Sequence, residues 1–296
     1  MTTLTRTAVA RADVGVLLDA LASWAPTDTL ADGLHLGDVG WFLRFDAEEC
    51  AGKLLLWTVS GEPVAVGMLD GPVLRLALRP GSAPAAPVTD PAGVDGLVGA
   101  FADDIGLLLG DAEAWCDARM GSALRAALLD RGWLDPRDGP WPLLVHPLTP
   151  APDWPAGATM VTEADAADRV AVQRAAFDGS TYTVERWRRI TDSVAGPAAV
   201  DVLVRTPDGE PAAAATGWFA GPGRCAILEP VGAHPDHRGR GYGRAAVLAA
   251  CAALAERGAS AVAVATPGDN TAAVALYRSA GFDHHRDLHD VYRPAR

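Results

Sequence analysis

A short segment of the chain interleaves glycine with arginine in a way that suits an anion. It follows an apolar run and precedes an alanine-rich stretch with helical spacing. Its residues are Arg238, Gly239, Arg240, Gly241, Tyr242, Gly243 and Arg244. Unpaired backbone N–H groups at a helix start carry partial positive charge, and glycines let a phosphate approach them closely. Because the arginines add forked donors, we predict that this loop binds a pyrophosphate.

The spacing of the glycines narrows the range of pyrophosphate-containing ligands that the loop could bind. The P-loop pattern G-x-x-x-x-G-K-[ST] is absent, and a dinucleotide fingerprint would need glycine in place of Arg244. The pattern that fits is R-x-x-G-x-G, and N-x-x-A-x-x-L-Y-x-x-x-G-F follows at Asn270–Phe282. With both motifs in this order, the chain resembles the GCN5-related N-acetyltransferase (GNAT) family over about residues 226–282, and more faintly back to Thr159.

The resemblance implies acetyl-CoA as the co-substrate, with its pyrophosphate on the glycine-arginine loop. One arginine could instead meet the 3′-phosphate, and Tyr242 is expected to pack rather than catalyse. The residues that would offer backbone groups to the pantetheine arm and to the reacting carbonyl oxygen are Val231, Gly232 and Ala233. Asn270 and Ala273 belong to the second motif and are assigned to the same site. Asn270 suits a helix N-cap equally well.

Amide formation from a thioester needs a base and an acid, since an alkyl ammonium of pKa ~10.4 is protonated at neutral pH. Glu229 stands where the family often carries a general base; the alternative is a carboxylate that solvates the strand end or pairs with an arginine. Tyr277 matches the tyrosine that protonates the leaving thiolate; the alternative is a half-buried helix tyrosine. Residues of the expected acceptor-side loop that could shape an amine pocket are Phe177, Tyr182 and Trp187.

The two halves of the chain share landmarks in one order. Each has a strand, a Gly-Glu-Pro turn, further strands, and a helix that ends in glycine followed by an aromatic residue. Gly61 and Gly132 are 71 positions apart, and Gly209 and Gly281 are 72 positions apart (132 − 61 and 281 − 209). This spacing favours a structural duplication.

The duplication predicts two tandem lobes in an α/β (α+β) fold, each a mixed, mostly antiparallel sheet flanked by helices. We expect a degenerate GNAT-like lobe over 1–146, a proline-rich linker over 147–157 and a catalytic GNAT domain over 158–296. The first lobe lacks R-x-x-G-x-G after its third strand and has Leu128 where the second has Tyr277. It is therefore not expected to bind CoA.

Composition excludes several classes of function. A net charge of −12 argues against nucleic acid and anionic membranes as partners. No apolar run reaches the ~18–20 residues of a membrane span, and no secretory signal is recognisable. The four cysteines lie far apart, which favours a reducing cytoplasm and argues against a zinc site. The histidine-rich stretch Asp283–Asp290 is interpreted as a solvated strand, so no metal is expected.

The sequence thus predicts a cytoplasmic N-acetyltransferase that moves an acetyl group from acetyl-CoA to a primary amine of a small molecule, by direct attack in a ternary complex. One alternative is a non-catalytic acyl-CoA-binding sensor or partner module. Another keeps the chemistry but uses a longer acyl-CoA. The acceptor stays open among aminoglycosides, polyamines, amino acids, amino sugars and protein N-termini, and the oligomeric state is not predicted.

Overall fold

The computed structural model describes residues 3–30, 33–87, 96–136 and 139–295. The elements of the first half are β1 (Leu4–Ala8), α1 (Gly15–Trp24), α2 (Leu36–Phe42), α3 (Ala47–Cys50), β2 (Leu54–Val59), β3 (Glu62–Asp70), β4 (Val73–Leu78), α4 (Gly96–Leu109), β5 (Ala114–Cys116) and α5 (Ala123–Asp130). Those of the second half are β6 (Trp141–Pro147), β7 (Ala158–Met160), α6 (Ala166–Ala176), α7 (Val184–Thr191), β8 (Ala199–Arg205), β9 (Pro211–Trp218), β10 (Cys225–Ala233), α8 (Tyr242–Glu256), β11 (Ala261–Ala265), α9 (Thr271–Ser279), β12 (Asp283–Leu288) and β13 (Val291–Arg293).

The described strands form two sheets with the same internal plan. The first has six strands in the order β1-β2-β3-β4-β5-β13, and the second has seven in the order β12-β6-β11-β10-β9-β8-β7. The pairs β4–β5 and β10–β11 are parallel, and the other described pairs are antiparallel. The predicted fold class, two lobes with mixed and mostly antiparallel sheets, is confirmed.

The two lobes exchange a strand. β6, from the end of the first half, lies between β11 and β12, with Val145 opposite Ala263 on one side and Asp283 on the other. β13, at the far end of the chain, pairs with β5 through Tyr292 and Trp115. Sheet membership therefore crosses the predicted boundaries of 146/147 and 157/158. Alternating apolar residues predict a strand but do not say which sheet it joins.

Buried side chains form layers around these sheets. α8 and α9 cover the outer face of the second sheet, with Val247, Cys251 and Leu254 buried as their helical spacing predicts. α4 and α5 cover the outer face of the first sheet. Between the sheets, α1 and α2 share one core with the inner faces of both. None of the described helices is long and apolar enough to cross a membrane.

α2 belongs to the first half but packs on the second sheet. Gly37 and Gly40 face the fully buried ring of Trp218, and a Cβ on either glycine would overlap that ring. His35 caps the helix: its Nδ1 accepts from the Gly37 N–H at 3.0 Å, and its Nε2 lies 3.2 Å from the Cys225 carbonyl oxygen. Burial lowers the pKa of His35 to about 4, so the neutral ring can make both bonds.

The strand exchange predicts where two matched substitutions act. Val291 is fully buried in the first lobe's core, and Val145 on β6 is buried against the second sheet. Val291→Ala should cost about 1–3 kcal/mol and speed amide hydrogen exchange in β4 and β5 of the first lobe. Val145→Ala should instead speed exchange in β11 and β12. If Val291→Ala loosened only the second sheet, the exchange would be disproved.

A second prediction concerns the close approach of α2 to Trp218. Gly40→Ala should lower the free energy of unfolding by about 1–3 kcal/mol, because the new methyl group overlaps the ring. The matched control is Gly106→Ala within α4, where the nearest atom, Nη1 of Arg293, is 3.9 Å away. That substitution should raise stability by about 0.5–1 kcal/mol. Equal effects in urea unfolding would show that the contact with Trp218 is not tight.

Candidate functional site

A cavity of about 1080 Å³ lies between the two lobes. The second lobe lines it with the middle of β10, the end of β11, α9 and the loop that follows α6. The first lobe contributes α2 and the segment after it, the turn between β3 and β4, and residues at and after the end of β5. The cavity is therefore built by both halves of the chain.

β10 separates from its parallel neighbour where the cavity begins. The two strands are in register from Cys225 to Ile227, and no further pair joins them in the described sheet. On its other side, β10 has an irregularity between Leu228 and Val231 in its pairing with β9. The following residues keep their β9 partners through Ala233. The predicted pantetheine segment is thus a strand edge, open on the side away from β9, to which an extended chain can add.

Gly232 marks a close approach beside this edge. A Cβ at Gly232 would lie 2.7 Å from the Cβ of Ala176, the last residue of α6, and 3.1 Å from the ring of Phe177. Val231 lines the cavity, whereas Gly232 and Ala233 lie beyond its lining. The small residues expected here are therefore needed for α6 to pack against β10.

Glu229 lies in the irregular part of β10 and lines the cavity. Its backbone carbonyl accepts the indole N–H of Trp218 at 2.7 Å. Its side chain hydrogen-bonds to Asp38 of α2. Burial, the negative charge of Asp38 and this hydrogen bond raise the pKa of Glu229 well above the usual carboxyl range, against the opposing charges of Arg75 and Arg44. The carboxyl group therefore holds a proton where an exposed glutamate would not.

α9 presents three of the predicted residues to the same cavity: Asn270, Ala273 and Tyr277. Tyr277 is 6 % exposed, and burial followed by the charge of Glu229 raises its pKa above the usual value for tyrosine. Its hydroxyl therefore stays protonated throughout the neutral range. Asn270 caps α9, with its Oδ1 accepting the Ala273 N–H at 3.1 Å. The capping alternative is present, and Asn270 also borders the cavity.

The glycine-arginine loop joins β10 to α8 and is largely exposed. Gly241 precedes α8 with φ +88°, and a Cβ there would meet no atom within 4 Å. Arg238 donates to the carbonyls of Ala233 and Ala176 at 3.3 Å each. Arg244 donates to the Ser279 carbonyl at 2.7 Å. These two arginines brace the loop, and the space over its glycines is open to a phosphate.

The remaining members of the loop are Gly239, Arg240, Tyr242 and Gly243. Arg240 is exposed and Tyr242 is half-buried, with its ring edge-on to His237 at 6.0 Å between centroids. Tyr242 therefore packs, as expected. Gly243 lies in the first turn of α8, 3.5 Å from Leu276 when a Cβ is added. The helix start and α9 thus approach each other beside the loop.

Two of the three aromatic residues assigned to the acceptor side border the cavity. Phe177 is 40 % exposed, and Tyr182 is buried against Trp41 with ring centroids 5.0 Å apart. Trp187 does not line the cavity: it is buried, and its Nε1 donates to Asp201 at 2.9 Å. Its part in shaping an amine pocket therefore stays a prediction. An amphipathic helix turns its aromatic residue towards the core as readily as towards a site.

The cavity contains polar residues of the first lobe that sequence reasoning missed, namely Asp38, Arg44 and Arg75. Asp38 is 4 % exposed and pairs with Arg75 at 2.9 Å. Arg44 stacks on the rings of Trp41 and Phe45, at 4.5 and 4.1 Å from their centroids. The only sequence signal was the pattern His-x-x-Asp before an apolar stretch, which is typical of a helix cap and not of a site in another lobe.

Metal ligands are not grouped in the part of the chain that is described: no three His, Cys, Asp or Glu residues are placed to hold an ion there. In the histidine-rich stretch, His284 bonds to Asp287 at 2.8 Å and His285 is exposed. His289 borders the cavity. These histidines do not converge on one point.

Known proteins resemble the second half of the chain in sequence. Residues 168–282 match the sequence model of the family described as acetyltransferase (GNAT). A mycothiol acetyltransferase of Clavibacter sepedonicus is 35 % identical over 135 residues, which are 43 % of this chain and 43 % of that protein. The match thus spans less than half the length of this curated relative.

Solved structures extend the likeness to the whole chain at the level of fold. A tandem GNAT protein from the clavulanic acid biosynthesis pathway superposes with a TM-score of 0.60 and 16 % identity, covering 99 % of both chains. A GCN5-related N-acetyltransferase from Sphaerobacter thermophilus gives a TM-score of 0.55 and 20 % identity, over 99 % of this chain and 96 % of that one. The chain therefore has the fold of a tandem GNAT protein, and its residues 168–282 match the sequence model of the GNAT acetyltransferase family.

Proposed function

We propose that the second lobe transfers an acetyl group from acetyl-CoA to a primary amine of a small molecule, by direct attack in a ternary complex. The observation that carries this proposal is that Glu229 and Tyr277 line one cavity beside the open edge of β10. A base and an acid are the two groups that the reaction needs, and they face the same space. The cavity between the lobes then receives the amine.

The residues present fit acetyl-CoA. The exposed loop before α8 offers backbone N–H groups at a helix N-terminus, with no atom within 4 Å of a Cβ built at Gly239 or Gly241. The open edge at Val231–Ala233 can hydrogen-bond to the pantetheine arm. When bound, acetyl-CoA supplies an activated acyl group as a thioester.

Each protein group has a defined task in the transfer. Once Glu229 has released its own proton, its carboxylate takes one from the ammonium, directly or through water, and leaves a neutral nitrogen to attack the acyl carbon. A backbone N–H in Val231–Ala233 donates to the acyl oxygen as negative charge develops there. Tyr277 donates its proton to the sulfur as the C–S bond breaks, and the second proton of the attacking nitrogen passes to the Tyr277 oxygen, so that the amide leaves neutral and the hydroxyl is restored. Positioning of the two reactants in one cavity contributes most of the acceleration.

The first test is CoA release from acetyl-CoA in the presence of an amine panel that contains aminoglycosides, polyamines, amino acids and amino sugars. We expect at least one class to release CoA faster than buffer alone. Binding of acetyl-CoA without release for any amine would favour the acyl-CoA-binding sensor. Faster release from a longer acyl-CoA than from acetyl-CoA would change the donor and keep the chemistry.

Gly241→Val should weaken acetyl-CoA binding measured by calorimetric titration, without unfolding the protein. The branched side chain obstructs the phosphate approach and strains a backbone at φ +88°. Gly61→Val is the matched control: Gly61 has φ +84° and open surroundings in the other lobe. It carries a similar strain and should leave binding unchanged. Unchanged affinity in Gly241→Val would mean that the phosphate lies elsewhere.

Tyr277→Phe removes one hydroxyl and keeps the ring. Turnover should fall about 10- to 1,000-fold, while acetyl-CoA binding stays within about a few-fold, because the hydroxyl acts mainly on the leaving sulfur. Tyr292→Phe is the control, since Tyr292 sits in the first sheet with its hydroxyl 3.3 Å from Glu113. Full turnover by Tyr277→Phe would assign the acid role to another group or to water.

A further inference from the structure

A carboxylate of the first lobe reaches the base proposed for the second. Asp38 occupies the first turn of α2, where one oxygen accepts the His35 backbone N–H at 2.5 Å and the other pairs with Arg75 at 2.9 Å. It is 4 % exposed, and it still hydrogen-bonds to the Glu229 side chain. A buried carboxylate with three partners has one orientation, so it can fix the orientation of the group that bonds to it.

The backbone around this pair is held from both sides. The fit of the α2 glycines over Trp218 sets the height of α2 above the sheet. Trp218 in turn donates its indole N–H to the Glu229 carbonyl. His35 ties the start of α2 to the Cys225 carbonyl on the same strand. The hydrogen bond between Asp38 and Glu229 joins elements from different lobes. Trp218 contacts both of these elements, and the bond from His35 joins them directly, so their separation is fixed.

The groups that face Glu229 come from three elements and from the segment after α2. Asp38 on α2 is its hydrogen-bonding neighbour, and Arg75 on β4 reaches it through Asp38. Arg44, just after α2, adds a second positive charge. The charge of Glu229 adds to burial in raising the pKa of Tyr277 on α9. An ionised Asp38 and an ionised Glu229 would repel each other, which favours the protonated form of Glu229.

We infer that Asp38, held by Arg75, is a positioning residue for Glu229: its carboxylate accepts the hydrogen bond of the protonated Glu229 side chain and keeps that carboxyl group aimed at the cavity. This inference rests on the proposed role of Glu229 as the base. It also gives the first lobe a task in the reaction, although that lobe lacks a phosphate-binding pattern of its own.

The same arrangement suits a cationic acceptor. When an ammonium enters beside the two carboxyl groups, Glu229 releases its proton to solvent and the ammonium replaces that proton as the positive partner of the pair. Glu229 then takes one proton back from the ammonium when the nitrogen attacks. One proton is thus released to solvent for each acetyl group transferred, and the site prefers an amine that arrives charged.

The test follows the proton on Glu229 directly. Full-length protein labelled with ¹³C at the glutamate side-chain carboxyl carbon is titrated by NMR, and Glu229→Gln identifies the resonance by its loss. We expect a wild-type midpoint above the usual glutamate range. Asp38→Asn should lower that midpoint by about one pH unit or more, because a like charge is removed. Arg75→Gln should raise it, because the opposing positive charge is lost.

Asp70→Asn is the matched control. Asp70 lines the same cavity from the β3–β4 turn and is exposed, so its replacement removes one negative charge from the wall and should leave the midpoint nearly unchanged. An equal shift in Asp70→Asn and Asp38→Asn, or none in Asp38→Asn, would overturn the inference. If Asp38→Asn failed to fold, Arg75→Gln alone would decide it: a midpoint that fell or stayed constant would contradict the pairing.

The outcome is separable from that of the proposed function, because the midpoint is measured without any acceptor. Shifted midpoints in a protein that releases no CoA with any amine would support the pairing and reject the acetyl transfer. Normal CoA release with an unshifted midpoint in Asp38→Asn would support the transfer and reject Asp38 as a positioning residue. A merely structural role for Asp38 would lower stability without moving the midpoint.

Discussion

The contact between α2 and Trp218 is the interaction on which the site depends. It requires two glycines one helical turn apart in the first half and a tryptophan in the second, and any side chain on the glycines would push the helix away. Trp218 is fully buried, and its single polar atom is satisfied by the Glu229 carbonyl. One side chain thus joins the packing of the lobes to the position of the proposed base. A change in how the lobes pack would therefore displace the backbone of Glu229, the proposed base.

The strand exchange holds the two lobes together and so maintains the contact between α2 and Trp218. Without the exchanged strands, β5 in the first sheet and β11 in the second would each have an unpaired edge. β6 and β13 cover these edges, and each comes from the other half of the chain. Separation of the lobes would then expose two edges as well as the shared core between the sheets. The first lobe, whose sequence lacks R-x-x-G-x-G after its third strand, is thus needed to close the second sheet and one wall of the cavity.

Local pattern in the sequence predicted much of the second lobe and of the fold class. The motif at Arg238–Gly243 and the capped helix from Asn270 are contiguous signals, so their elements appear where they were expected. The duplication could also be predicted from the sequence, because glycines stand at equivalent turns in both halves of the chain. The predicted absence of a phosphate pattern in the first lobe concerns Ser82–Gly96, most of which lies outside the described residues.

Non-local features escaped the prediction for a physical reason. Nothing in the short apolar run of Trp141–Pro147 distinguishes a partner strand nearby from one more than a hundred residues away. Likewise, Asp38 looked like an ordinary first-turn acid of a helix, a role that it also fills. Its second role depends on the arrival of β10 from the other half. Trp187 is the opposite case. It lies in the segment expected on the acceptor side, but its side chain is buried and does not line the cavity.

The pairing of Glu229 with Asp38 also eases a thermodynamic difficulty of the proposed reaction. An ordinary carboxylate of pKa ~4.3 is about six units too weak a base to take a proton from an ammonium of pKa ~10.4. At about 1.4 kcal/mol per unit, that difference would add about 8 kcal/mol to the barrier. Burial and the Asp38 charge raise the pKa of Glu229 and so shrink the gap. The cost is that Glu229 starts protonated, and a cationic acceptor offsets this cost because it displaces the proton that the base must lose. In the proposed reaction the second lobe supplies the base, and a helix of the first lobe raises the pKa of that base.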